Sequence, residues 1–204
     1  MSGQLIITLS REFGSGGHEI ANLLAKRFGL PVYEENMLSH IAQKRGIKPG
    51  VLERYDELPK NKLMYRTVKG FSNAPEDVTA QMQFEYLRER ADAGESFLVV
   101  GRCAEEVLKD YPGRVSFFVH ADKWFKLKRT MDREPITKME ALALMDRKNW
   151  KRKTYHNQYC KGKWGDAWSY DLCVNSAKLG VQGTADLLER YIRARIETIS
   201  HQEP

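Results

Sequence analysis

Three groups of residues have the types and spacing for chemistry on an anion. The first is Ser10-Arg11-Glu12-Phe13-Gly14-Ser15-Gly16-Gly17-His18, a glycine-rich turn between an apolar, β-branched run and a helical pattern. Glycines let successive backbone N–H groups converge on one anion, because no Cβ blocks the approach or forbids positive φ. The N-terminus of the helix that follows adds about half a positive charge. Phosphate binding is the chemistry this order serves. The second group is Gly101-Arg102, at the end of another apolar run, where a guanidinium suits bidentate phosphate contact or a structural ion pair. The third is basic: Lys126, Arg129 and Arg133, then Arg147, Lys151, Arg152 and Lys153. Arg129 and Arg133 are four apart and share a helical face, as do Arg147 and Lys151. Such cations could close over a phosphoryl group and neutralise its charge during transfer.

The loop departs from the usual phosphate-binding pattern, G-x-x-x-x-G-K-[ST]. Laid over that template, Arg11 takes the first glycine's place and Gly16 keeps its own. Gly17 replaces the lysine and His18 the hydroxyl residue. The expected phosphate-binding set is Ser10, Arg11, Gly14, Ser15, Gly16, Gly17 and His18. A missing donor to developing charge costs on the order of 10²–10³ in rate, so another cation must substitute for the lysine or catalysis is poor. Arg11 is the nearest candidate; its alternative is a salt bridge to Glu12 or Glu19. His18 could contact phosphate or simply open the helix. Asp171, after the aromatic turn Trp164-Gly165-Asp166-Ala167-Trp168, could accept hydrogen bonds from a base or an arginine, or serve packing and capping.

The elements that must position these groups alternate. Residues 4–10 read as a buried strand, and Ile20, Ala21, Leu23, Leu24 and Phe28 stripe a helix that Gly29 and Pro31 end. Val32-Tyr33 is a short second strand. Helical patterns follow over 34–45 and around Val51, Leu52 and Tyr55. Residues 59–75 read as a loop or lid-like excursion. Val78, Met82 and Tyr86 stripe a helix over 76–93. Strands are expected at 97–100, 114–120 and 171–175, and a helix at 103–110. Trp124, Leu127 and Met131 share one face of a helix that Asp122 can cap, Thr137-Lys138-Met139-Glu140 is a capping box, and Val181, Ala185, Leu188, Ile192 and Ile199 stripe the last helix. Short, continuously apolar strands between helices predict an α/β fold of three layers, with a five-stranded parallel sheet flanked by helices, a phosphate loop after the first strand and a basic lid segment. The ligand should lie at the carboxyl ends of the strands.

The chain has 204 residues, which favours one domain over 1–204. It is 42% hydrophobic and 29% charged, an ordinary globular composition. No apolar run reaches about 18 residues, so no membrane-spanning helix is expected, and a cytoplasmic location is the default. Cys103, Cys160 and Cys173 are widely spaced, so no metal-ligand pair is expected and they read as reduced, mostly buried thiols. The net charge is +6, yet residues 123–163 alone carry +9 and the remainder −3. That segment suits an anionic partner. A nucleic acid is the weaker reading, because no recognised module accompanies the charge.

Together these stretches resemble the cytidylate kinase-like family of P-loop proteins. The matching residues are Ser10 to Gly17, Val99-Val100-Gly101-Arg102-Cys103-Ala104, and Trp164-Gly165-Asp166 with Tyr170-Asp171-Leu172-Cys173-Val174-Asn175-Ser176. The resemblance covers residues 4–198 and is weakest over 46–75. It implies a nucleoside monophosphate kinase fold, with an acceptor region at about 34–93 and a lid at about 134–165. It implies transfer of the ATP γ-phosphoryl group to CMP or dCMP, assisted by Mg²⁺. In the family the glycine-arginine pair lies between two aspartates and its arginine binds the acceptor, a role that falls here to Arg102. Val100 and Cys103 stand where the aspartates would be, and the loop lysine is absent. The expected acceptor contacts are Arg102 and Asp171. The expected catalytic cations are Arg11, Arg129, Arg133 and Arg147. The rival reading is a non-catalytic nucleotide-binding or regulatory protein that keeps the fold.

Overall fold

A computed structural model describes residues 3–58 and 73–200. The excursion expected over 59–75 therefore lies, up to residue 72, outside the described residues. The strands are β1 (Ile6–Arg11), β2 (Val32–Tyr33), β3 (Phe97–Val100), β4 (Arg114–His120) and β5 (Leu172–Asn175). The helices are α1 (Gly17–Phe28), α2 (Asn36–Arg45), α3 (Pro75–Asp92), α4 (Ala104–Val107), α5 (Lys123–Arg133), α6 (Lys138–Tyr159) and α7 (Ser176–Ser200). A short 3₁₀ turn, Glu53–Tyr55, replaces the helix expected there.

All five strands are parallel, in the order β2-β3-β1-β4-β5. The fold is the expected three-layer α/β arrangement, because strands buried on both faces need helices on both. Alternate residues of β1 point to opposite sides, as the two-residue period of a strand demands. Leu5, Ile7 and Leu9 join one core with Ile20 and Leu24 of α1 and Leu188 and Ile192 of α7. Ile6 joins the other with Met37 and Leu38 of α2, Leu87 of α3 and Ala104 of α4. Burying each such large aliphatic side chain contributes about 1.5–3 kcal/mol. β1 sits at the centre, and the chain leaves it for the far edge at β2. The crevice beyond its carboxyl end is the switch point where ligands of such sheets bind.

Several local expectations are corrected. β1 runs one residue further than the apolar pattern, so Arg11 ends the strand and is buried, 7% exposed. The helix expected over 103–110 is the single turn α4. α5 turns Lys126, Leu127 and Thr130 inward, while Trp124 and Met131 are 68% and 41% exposed. Its face is set by Phe13 and α6, because Leu127 packs with Ala141, Met145 and Phe13. Asp122 does not cap α5 with its side chain but accepts from Lys178 Nζ at 2.7 Å and Asn175 Nδ2 at 2.8 Å. In α3, Val78 is exposed, and Thr79, Gln83, Phe84 and Leu87 join Tyr86 inside. The capping box of α6 forms as written, Thr137 and Glu140 satisfying each other's backbone N–H groups.

Candidate active site

The loop between β1 and α1 takes its shape from two glycines and three neighbouring helices. Gly14 and Gly16 have φ of +80° and +82°, a region that side chains disfavour. Phe13 N–H donates to Asn149 Oδ1 of α6 at 2.7 Å. Ser176 Oγ at the start of α7 donates to the Ser15 carbonyl at 2.6 Å. Lys126 Nζ of α5 meets Glu12 Oε2 at 2.6 Å. Ser15 Oγ closes the turn onto the Glu12 carbonyl at 2.9 Å. The first-turn N–H groups of α1 are left facing outward without helical acceptors, as at any helix start.

Arg11 and Gly17 are sterically coupled. A Cβ built at Gly17 would lie 2.6 Å from Arg11 Cβ and 3.0 Å from its Cγ. The arginine stem occupies the space that a side chain at 17 would need. The residue in the first glycine's place thus accounts for the glycine in the lysine's place. The Arg11 guanidinium extends away from the loop and across the end of β3. It reaches Glu34 Oε1 at 3.1 Å and Glu57 Oε1 at 3.3 Å. Neither Glu12 nor Glu19, the partners weighed from sequence, is used. Glu34 also holds His18, Nδ1 to Oε2 at 2.8 Å.

A cavity of ≈ 440 Å³ opens above these groups. One end is the loop itself: Gly14, Gly16, Gly17 and His18, with Arg129 and Arg133 of α5. Arg129 Cζ is 3.5 Å from where a Cβ at Gly16 would sit. Both arginines clasp Glu19 of α1, Arg129 Nη2 at 2.5 Å from its Oε2. The other end holds Arg11, Arg102, Arg152 and Lys151 around Asp56 and Glu57. Arg102 is 3% exposed and sits at φ +56°. It donates to Asp56 Oδ2 at 2.5 Å and to the Val100 carbonyl at 3.0 Å. Glu57 lies among three guanidinium groups: Arg11 at 3.3 Å, Arg102 at 3.7 Å and Arg152 at 4.0 Å. Burial opposes its charge, but Arg102, Arg11 and Arg152 together hold its carboxyl well below the usual range. Burial and then repulsion from Arg11 draw Arg152 down as well, below the usual guanidinium value.

Of the residues singled out from sequence, Arg11, Gly14, Gly16, Gly17, His18, Arg102, Arg129 and Arg133 line this cavity. Ser10 and Ser15 are buried beneath it; Ser10 Oγ donates to Glu105 Oε2 at 3.3 Å. Arg147 is exposed and does not line the cavity; Lys148, Lys151 and Arg152 of the same helix do. Asp171 is also outside. It accepts from Ser116 N–H at 2.7 Å, and its other oxygen is 3.7 Å from Arg114. It ties the start of β5 to β4. Asp171→Ala should therefore lower stability by about 1 kcal/mol, the usual net worth of such a hydrogen bond, and leave nucleotide affinity unchanged. Urea unfolding beside a nucleotide titration checks both halves. Glu34, Asp56 and Glu57 were not anticipated as site residues. Only the distance in sequence hid them: 23 and 46 residues separate Glu34 and Glu57 from Arg11.

The parallel sheet, the glycine loop at its switch point and the two sets of cations make this a P-loop kinase-type fold. The chain belongs to the cytidylate kinase-like family, whose model matches residues 6–178. It is 27% identical over 193 residues to a cytidylate kinase of Methanococcus vannielii, covering 93% of this chain and 100% of that one. A crystal structure of a protein from Eubacterium ventriosum is 36% identical, covers 93% of this chain and 99% of that chain, and superposes with a TM-score of 0.75. Shikimate kinase from Bacteroides thetaiotaomicron shares the fold at 10% identity and a TM-score of 0.54, with 93% and 98% of the two chains covered. Among the described residues no helix is long and apolar enough to cross a membrane.

Proposed function

We propose that this protein transfers the γ-phosphoryl group of ATP to a nucleoside monophosphate resembling CMP or dCMP. The observation that carries this reading is Glu57, a carboxylate held among Arg11, Arg102 and Arg152 at one end of the cavity. Three guanidinium groups converging on one point favour an anion there. A monophosphate acceptor supplies one, whereas a neutral sugar or alcohol does not. ATP lies on Gly14–His18, its phosphates taken by backbone N–H groups and by Arg129 and Arg133. The acceptor lies against Arg102, Arg11 and Arg152, in the region of residues 34–93, and the segment 134–165 acts as the lid. The reaction then needs positioning and charge neutralisation, with no covalent intermediate.

Mg²⁺ enters as part of the MgATP substrate. The loop residues do not form a dedicated metal cage. His18 stands where a hydroxyl ligand would be, and an imidazole is poorly matched to Mg²⁺. The carboxylates of Glu12 and Glu19 are taken up by Lys126 and by Arg129 and Arg133.

The decisive experiment offers MgATP with a panel of nucleoside monophosphates, nucleosides and small alcohols, and follows ADP. ADP release that depends on a pyrimidine monophosphate is the expected result. No acceptor-dependent ADP from any member would sink the kinase reading. One observation favours the rival, a non-catalytic nucleotide-binding or regulatory protein: carboxylates of the chain already pair with the arginines at both ends, Glu19 with Arg129 and Arg133, and Glu34 and Asp56 with Arg11 and Arg102. Nucleotide binding without turnover across the whole panel is its signature.

A further inference from the structure

A second cavity, of ≈ 370 Å³, shares no lining residue with the first. Its wall carries Glu105 of α4 and His156 and Cys160 from the end of α6. Cys160 closes α6 and follows His156 by one helical turn, so the two share a face. The reactive atoms of Glu105, His156 and Cys160 all lie within 4.8 Å of one another. His156 Nε2 is 2.6 Å from Glu105 Oε1, and Nδ1 is 3.2 Å from Asn157 Oδ1. With an oxygen acceptor at each nitrogen, the ring is suited to carry both protons. Cys103 packs in the same cluster as Cys160, beside Ala80, Phe84 and Tyr155, and is buried. A thiol, an imidazole and a carboxylate thus meet on one wall, with a second thiol behind the first. Nothing in the phosphoryl-transfer reading uses them.

We propose that Cys160 is a reactive thiol, activated by the Glu105–His156 pair, which hydroperoxides oxidise to a disulfide with Cys103. The Cys160 thiolate sulfur attacks one peroxide oxygen and the O–O bond breaks. Cys160 becomes a sulfenic acid, and the departing oxygen takes the His156 proton and leaves as water or alcohol. The Cys103 sulfur then attacks the Cys160 sulfur. The S–S bond forms, and the hydroxyl departs with the Cys103 proton as a second water. Two thiols lose two electrons to one peroxide.

The two thiols are unequal in the direction this needs. The adjoining Cys103 thiol and, against burial, the neighbouring His156 draw the Cys160 thiol down. Burial first, then the contact with Cys160, pushes the Cys103 thiol up. Burial opposes charge on His156, but the neighbouring Cys160 and the hydrogen bond to Glu105 outweigh it and raise the ring to about 10. The imidazolium therefore persists at neutral pH beside the attacking sulfur. A metal ion is the less suited occupant. Of the three donors, Glu105 and His156 already satisfy each other at 2.6 Å. The disulfide would join Cys103, the neighbour of Arg102, to the end of the helix that carries Arg152 and Lys151. It would hold two walls of the nucleotide cavity together.

The test uses the reduced full chain, treated with hydrogen peroxide, then alkylated and weighed. The expected result is a loss of two hydrogens, a cross-linked Cys103–Cys160 peptide, and full reversal by dithiothreitol, with Cys173 still alkylated. Cys103→Ser should stop the reaction at a sulfenic acid on Cys160 that dimedone traps. His156→Gln should slow Cys160 oxidation by about tenfold or more as the thiolate fraction falls. The wild-type arm stands alone should that variant fold poorly. Oxidation of Cys173 as fast as Cys160, or absence of the Cys103–Cys160 link, would overturn the proposal. So would stoichiometric zinc in the purified protein whose removal alone exposes the thiols.

Discussion

Gly17→Lys, which writes the missing lysine back into the loop, should weaken the protein rather than restore it. The new Cβ would meet Arg11 Cβ at 2.6 Å and Leu9 Cδ2 at 3.4 Å. The Arg11 contact is with a stem atom next to the backbone of a central strand, not the free end of a side chain, so relief requires the loop to move. Overpacking of this kind costs about 1–3 kcal/mol. Displacing the loop also spoils the backbone cradle, so affinity for MgATP should fall with stability. Arg11→Gly alone carries a different penalty. It leaves Glu34 and Glu57 without one of their guanidinium partners, and breaking a mostly buried pair costs about 3–5 kcal/mol. Arg11→Gly removes the stem that excludes a side chain at 17. The double variant should thus be less damaged than the sum of the singles, by a coupling of about 0.5–3 kcal/mol. Urea unfolding and nucleotide titration of the four proteins measure it. Additive losses would show that the two departures from the phosphate-loop pattern are independent.

Arg129→Ala should reduce kcat/KM by about 10²–10³, the loss expected for one preorganised donor to developing phosphoryl charge. Its guanidinium carbon lies 3.5 Å from the Cβ position of Gly16, at the mouth of the loop, and its stem comes from a helix fixed to Phe13 of the same loop. Stability should change by no more than about 1 kcal/mol. The ion pair it makes with Glu19 is partly exposed, and such pairs contribute little in water. Steady-state kinetics beside thermal unfolding separate the two effects. Wild-type turnover in the variant would remove Arg129 from the catalytic set and leave Arg133 as the cation beside the loop.

The contrast between Arg11 and Arg129 shows where sequence reading stops. Arg11 is adjacent to the glycines, and proximity along the chain suggested that its charge takes over from the lysine there. Its backbone is the last of β1, however, and the side chain of a strand's final residue is directed by the sheet. Here it crosses to Gly101 and pairs with Glu34 and Glu57. Arg129, over a hundred residues away, comes closer to Gly16. Arg147 and Arg152 differ in the same way. Both lie in one basic run, but the rotation of α6 turns Arg152 inward and Arg147 to solvent.

What the sequence by itself determined is the local grammar. Alternation of short apolar runs with helical stripes specified a parallel sheet between helices. Gly14 and Gly16 specified a turn of positive φ, and the strand–loop–helix order specified an anion-binding end. The family's glycine-arginine pair put Arg102 beside the cleft. These features depend on backbone conformation and on periods of two and 3.6 residues, which neighbouring residues impose on one another. Only the tertiary structure decided the strand order, the faces of α3 and α5, the guanidinium partners, the place of Asp171 outside the cavity, and the meeting of Cys103, Glu105, His156 and Cys160. Each depends on which distant surfaces pack together. An ion pair or a helix rotation is chosen by the whole core at once, and no window of the chain contains the groups that choose it.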